Sequence, residues 1–261
     1  TTGYQAERDV PMRILLTNDD GIHAPGLCAL YETLKEDHEV FVVAPDSERS
    51  AVGHAITLTD PLRVRTIKRN RLPFGWAISG TPADCVKLGV HELVEGPIDL
   101  VLSGINQGAN VGINVLYSGT VSAATEAAIL GITSMAISLD EYREPDFCFA
   151  AYFSNDLVSW IKNAGLAPRV AINVNFPSLP PHRIRGVKVT RQGTARLQER
   201  FNRRIDPRGN TYFWQASATL AGTEADDVDS IALRQGYISL TPIQFDLTSY
   251  QSLTSLAPPR M

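Results

Sequence analysis

The sequence predicts an α/β fold: a doubly wound, mostly parallel sheet followed by a β-rich C-terminal extension. Three observations carry that expectation. From residue 12 to 176, apolar strand-like runs alternate with helix-period segments, the pattern of a parallel sheet covered on both faces. The loops after those runs collect Gly, Ser, Thr, Asn and Asp, and open parallel sheets bind ligands at the C-terminal ends of their strands. Beyond Pro177 the alternation gives way to strand-like runs with little helix between them.

The elements follow in order. Thr1–Val10 is polar and aperiodic; residues 1–11 read as a tail, and Met12 looks like a natural start. Arg13–Thr17 is an apolar strand. Leu27, Leu30, Tyr31 and Leu34 have the i, i+3, i+4, i+7 spacing of an amphipathic helix. Val40–Ala44 is a buried strand closed by Pro45. Ala55–Leu58, Leu62–Lys68 and Trp76–Ser79 read as short strands of a hairpin excursion. Thr81-Pro-Ala-Asp84 opens a helix to about Leu93, with Thr as N-cap, Pro at N1 and an acid at N3. Then come a strand over Ile98–Ser103, a small-residue helix over Val121–Leu130 ending at Gly131, a strand over Ser134–Leu139, a helix over Phe147–Asn163 and a strand over Val170–Val174. In the extension, residues 177–261, strands are expected at Val187–Thr190, Thr211–Trp214 and Tyr237–Thr241, separated by polar stretches such as Gln198–Asn210. Isolated strands expose unpaired edges, so the extension reads as an oligomerisation element.

Composition narrows the function. A chain of 261 residues can bury a substantial core. A net charge of −4 argues against a duplex-binding surface, so the basic run Arg63–Arg71 reads as a solvated hairpin. No apolar run reaches membrane-spanning length and no signal peptide is present. Cys28, Cys85 and Cys148 fit neither a zinc motif nor a disulfide framework, and Cys28 and Cys85 fall in apolar helical patterns as small core residues. A reducing, cytoplasmic compartment follows.

The loops carry the chemistry. Asp19 and Asp20 end a buried strand, and Gly21 lets the chain turn so that both carboxylates can reach one ion. Two carboxylates with a hydroxyl and an amide oxygen make a hard site for Mg²⁺, Mn²⁺ or Ca²⁺ rather than Zn²⁺. The competing reading is an Asp-Gly turn with an exposed acid pair. Ser118-Gly119-Thr120 opens a small-residue helix whose free N–H groups suit phosphate, or is a plain N-cap. Ser103–Asn110 interleaves Gly with Asn after a buried strand, which lets backbone approach a ligand while Asn offers carbonyl oxygens; otherwise it is a turn-rich loop. His23 and His54 lie near these loops as proton donors or as structural residues.

Taken together, NDDGIHAPG, VVAPDSERSAVGHAITL, SGTPADCVKLG, DLVLSGINQGANVG and YSGTVSAATEAAILG resemble the SurE family, with DPRGNTYFW and GYISLTPIQFDLT similar as well. The resemblance runs from about Met12 to Thr248. It implies a Rossmann-like core and a metal-dependent phosphomonoesterase that hydrolyses nucleoside 5′-monophosphates, with 3′-monophosphates as further substrates. It implies one divalent cation per subunit, Mg²⁺ or Mn²⁺, held by Asp19, Asp20, Ser50 and Asn106, and catalysis by Asp19, Asp20 and Asn106. Phosphate falls to Asn18, Ser118, Gly119 and Thr120. A homodimer or homotetramer is implied, often with C-terminal segments exchanged. Two rivals stand beside it. One is a haloacid-dehalogenase-type phosphatase with a nucleophilic Asp, which the Asp-Asp rather than Asp-x-Asp spacing opposes. The other is a non-catalytic nucleotide sensor.

Overall fold

The computed structural model describes residues 10–221, 224–257 and 259, so the expected tail lies outside the described residues up to Asp9. A nine-stranded sheet forms the core. Its strands are β1 (Arg13–Thr17), β2 (Glu39–Pro45), β3 (Val64–Arg69), β4 (Leu72–Ile78), β5 (Leu100–Gln107), β6 (Thr133–Leu139), β7 (Ala171–Phe176), β8 (Val187–Val189) and β11 (Ile238–Ile243), in the order β3-β4-β2-β1-β5-β6-β7-β11-β8. The pairs among β4, β2, β1, β5, β6 and β7 are parallel, as is β11 with β8; β3 on β4 and β11 on β7 are antiparallel. Among the described residues, the remaining strands, β9 (Arg196–Ile205) and β10 (Thr211–Ala221), pair with each other as an antiparallel ribbon and with no strand of the sheet.

Strand periodicity divides the core between two layers. Ile14 and Leu16 of β1 face α1 (Pro25–Leu34) and α4 (Cys148–Ile161), joining Leu27, Leu30, Leu34, Leu157 and Val158. Leu15 faces the other way, onto Cys85 and Val86 of α2 (Pro82–Leu88) and Ala123 and Ala127 of α3 (Gly119–Ile129). The doubly wound expectation holds. The capping box holds as well: Thr81 accepts from the Asp84 N–H at 3.1 Å, Asp84 accepts from the Thr81 N–H at 2.9 Å, and a π-helical turn carries the chain on to Leu93.

Four expectations change. Ala55–Leu58 is not a strand: its polar groups go to the α2 cap, with Thr57 N–H and hydroxyl donating to Asp84 and the Thr81 hydroxyl donating to Ala55 O at 2.7 Å. The strand expected to stop at Ser103 runs to Gln107, with a register irregularity against β6 between Ser103 and Asn106. The polar stretch from Gln198 is largely β9, whose ribbon stands outside the sheet; residues 200–205 are exposed, so no buried face imposes alternation there. A short helix, α5 (Asp229–Arg234), precedes β11. The basic run is a hairpin, β3–β4, in which Arg65 and Arg69 pair with Asp46 and Glu32 at 3.6 Å. Among the described residues no helix is long and apolar enough to cross a membrane.

Candidate active site

Connections from β1 run toward β2 and β4, whereas β5 leads away through β6 and β7. The order therefore switches between β1 and β5, and a crevice opens beyond their C-terminal ends. Thr17 of β1 lies beside Ser103 of β5 in that register. Thr17 Oγ1, Ser103 Oγ and Asn18 Oδ1 are buried there without a hydrogen-bond partner. Unpaired buried polar atoms are rare in folded proteins and mark places that await water, ion or ligand.

Asp19 is buried under the first turn of α3. The Thr120 hydroxyl and the backbone N–H groups of Gly119 and Thr120 donate to its carboxylate, yet burial outweighs them and pushes its pKa up. The helix comes this close because residue 119 has no side chain: a Cβ there would lie 2.7 Å from Asp19 Cβ and 2.9 Å from its Oδ2. Asp20 is half-buried. Burial first, and then the Asp19 charge, raise its pKa to about 6, although the Gln107 N–H donates to it. A cation beside two such neighbouring carboxylates would offset both their burial and their mutual repulsion.

Neutral oxygens complete the set. Ser50 donates its proton to Glu48 Oε1 at 2.8 Å, leaving its oxygen lone pairs free to face a cation. Asn106 donates through Nδ2 to Gly108 O at 2.7 Å, which leaves Oδ1 as its acceptor end. Asp19, Ser50 and Asn106 line one cavity of about 510 Å³ together with Asn110, Asn114 and Ser118. Among the described residues no cluster of three or more His, Cys, Asp or Glu that could hold a metal ion occurs; a cation in this cavity would have carboxylate and neutral oxygens as its ligands. That donor set suits Mg²⁺ or Mn²⁺.

Other expected residues take different places. The hydroxyl of Thr120 and the N–H groups of Gly119 and Thr120, expected to cradle phosphate, are occupied by Asp19. Ser118 accepts from the Val121 N–H at 3.1 Å as N-cap, so its own hydroxyl proton remains for the cavity it lines. Asn18 is fully buried and donates to Gly21 O at 3.0 Å, where it holds the Asp-Gly turn rather than lining the cavity. His23 is exposed. His54 Nε2 meets the buried Glu126 at 2.7 Å, and Lys87 meets the same carboxylate at 3.0 Å, which ties the Ser50 loop to α2 and α3. These two partners hold Glu126 below the usual carboxylate range. Cys85 is core; Cys28 is half-buried and Cys148 exposed.

Three residues that sequence reasoning passed over hold the Asn-rich segment. Asn175 Oδ1 accepts from the Asn110 N–H at 2.8 Å, Asn173 Nδ2 donates to Asn110 O at 2.7 Å, and Asn110 Nδ2 donates to Ser138 Oγ at 2.9 Å. The signal was present. Ile172-Asn-Val-Asn-Phe176 places Asn at every second position of a fully buried strand, and buried amides need partners. Buried Asp229 extends the anchoring to the C-terminal segment, accepting from the N–H groups of Gly112 at 2.9 Å and Gly193 at 3.0 Å.

Known proteins share this arrangement of sequence and fold. A family model described as Survival protein SurE matches residues 14–199. Proteins named 5′-nucleotidase SurE from Syntrophobacter fumaroxidans and Syntrophus aciditrophicus are 56% and 57% identical, over 94% of this chain in each case and over 98% and 92% of their own lengths. The crystal structure of Sure Protein from Aquifex aeolicus matches with a TM-score of 0.81 at 43% identity, covering 93% of this chain and 97% of that one.

Proposed function

The chain belongs to the SurE family, and on that footing we propose that it is a divalent-cation-dependent phosphomonoesterase of nucleoside 5′-monophosphates, with 3′-monophosphates as further substrates. The nucleotidase class comes from the names of the relatives. The observation that supports cation dependence is Asp19 lining one cavity with Ser50 and Asn106 at the sheet's switch point, with the Asp20 carboxylate next to it. Asp19, Asp20, Ser50 and Asn106 would hold Mg²⁺ or Mn²⁺, which would supply Lewis-acid polarisation of a phosphoryl oxygen and place the attacking water. Ser118 donates its hydroxyl proton to a second phosphoryl oxygen. Thr120 and the start of α3 aim Asp19 and partly offset the cost of ionising it where it is buried. Asp20, the less buried acid, accepts the proton of the incoming water, and the departing nucleoside oxygen takes up a proton from solvent as the P–O bond breaks. Positioning and charge stabilisation make up most of what phosphoryl transfer needs.

Activity on AMP after exhaustive chelation, with and without added Mg²⁺ or Mn²⁺, tests this directly; full turnover without cation overturns it. Melting adds a second readout. The folded pKa of Asp20, about 6, lies above its ordinary 3.8, so the cation-free fold binds this proton more tightly than the unfolded chain does. Its contribution to stability is therefore lost as pH rises through about 4 to 6. A cation that binds the ionised pair restores stability above that window and competes with protons below it. Mn²⁺ is expected to raise the melting temperature several degrees more at pH 7.5 than at pH 5; equal shifts would argue against binding at this pair.

The reading includes a homo-oligomer in a reducing, cytoplasmic compartment. The β9–β10 ribbon supports the first: Phe201 and Phe213 on one face and Trp214 on the other are each about 60% exposed, large rings that an isolated two-stranded ribbon leaves to water. Free cysteines support the second. Light scattering at micromolar concentration is expected to give a dimer or tetramer, and a monomeric mass removes the assembly role.

A further inference from the structure

Tyr142 stands in the loop that leaves β6, and the phosphate chemistry does not use it. The residue is exposed, 66% of its surface, yet its side chain is held. The Ala109 N–H donates to its hydroxyl. The ring packs against Gly108 so closely that a Cβ at 108 would fall 2.5 Å from Cε1 and 3.0 Å from Cζ. The loop beneath is pinned as well: Glu141 Oε1 accepts from the N–H groups of Tyr142 at 2.8 Å and Arg143 at 2.9 Å, and Oε2 accepts from the Ser178 hydroxyl at 2.7 Å. Tyr142 lines the same cavity as Asp19, Ser50 and Asn106. Tyr117, the other aromatic residue of that lining, adjoins Ser118 at the phosphate end.

We propose that Tyr142 is the platform on which the substrate's nucleobase stacks; this rests on the nucleoside monophosphate reading above. A ring left open to water normally gains nothing from being fixed. Here the hydroxyl and one side of the ring are engaged by the strand-end backbone, while most of its surface faces solvent and cavity. A planar heteroaromatic base covering that surface finds an aromatic partner whose rotamer is already set, so little ordering entropy is lost on binding. Stacking of this kind tolerates any base because each has a π-face, with specificity left to groups at its edge.

Steady-state kinetics on the Mg²⁺- or Mn²⁺-loaded enzyme separate the outcomes, with AMP as the substrate bearing a base and ribose 5-phosphate as the one without. Tyr142→Ala is expected to raise the KM for AMP about tenfold more than that for ribose 5-phosphate, the order of effect that loss of a base–aromatic stack produces. Tyr142→Phe, which keeps the ring and loses only the hydroxyl, is expected to restore the AMP KM to within about threefold of the parent. A residue that merely braces the loop would shift both substrates together. Equal shifts, or no shift, in a parent active on both substrates overturn the platform alone. A parent that hydrolyses neither substrate overturns the nucleotidase reading and the platform with it.

Discussion

Asp19→Asn is expected to lower turnover of AMP by about a thousand-fold or more while leaving the cation-free protein about as stable as the parent. The two effects share one cause. The Asp19 carboxylate is buried beside Asp20, and burial raises its pKa even though Thr120 and the start of α3 donate to it. Ionised Asp19 is thus a cost to the empty fold, and the isosteric amide removes both the charge and its repulsion of Asp20. The same charge is what a cation would bind, and losing that stabilisation of the transferring phosphoryl group forfeits several kcal/mol, or three orders of magnitude in rate. Turnover at saturating Mn²⁺ and melting in chelator, measured on one preparation, decide it. A variant that melts several degrees earlier and turns over normally would make Asp19 a cap of α3 and nothing more.

The second large effect is expected at Gly119. Ala is the better helix former, so propensity alone predicts a small gain from Gly119→Ala. Packing predicts the reverse. The added methyl would sit 2.7 Å from Asp19 Cβ, an atom fixed to the backbone of the β1 loop, and 2.9 Å from Oδ2. Neither is the far end of a flexible chain, so the helix start and the strand end must part by several tenths of an ångström. Overpacking of this kind costs about 1–3 kcal/mol of stability, and a displacement approaching 1 Å at a catalytic group can cost about 100-fold in rate. A fall in kcat of about that size, with weaker Mn²⁺ binding by calorimetry, is the expected result. Unchanged kcat would mean that the carboxylate tolerates displacement and that its precise seat under α3 is unimportant.

Much of this was legible before any coordinates. The Ile14-Leu15-Leu16 run ending in two acids marks a central strand and its loop, and Thr81-Pro-Ala-Asp84 writes its own capping box. What could not be read were interactions settled at a distance. Thr57 has strand-like neighbours, but its partner is Asp84, presented by the capping box of α2. Gly104 and Asn106 look like turn residues, yet the neighbouring β6 extends the pairing through Asn106 and Gln107. The start of α3 was recognisable as a cluster of free donors. Nothing local said that those donors would meet a carboxylate brought from β1, a hundred residues earlier in the chain, and that Thr120 would serve Asp19 rather than an incoming anion.

The place of β11 has a consequence for synthesis on the ribosome. β7 pairs with β6 on one side and with β11 on the other, and β11 is made last among the strands of the sheet. Between the emergence of Phe176 and that of Ile238 roughly 3–12 s pass at ordinary translation speeds. Throughout that interval the nascent chain presents Ala171–Phe176, six residues buried in the finished fold, along an open strand edge. Such an edge recruits any extended chain within reach. A message truncated before Ile238 is therefore expected to yield an aggregating chain rather than a merely weaker enzyme, because only β11 closes the β7 edge.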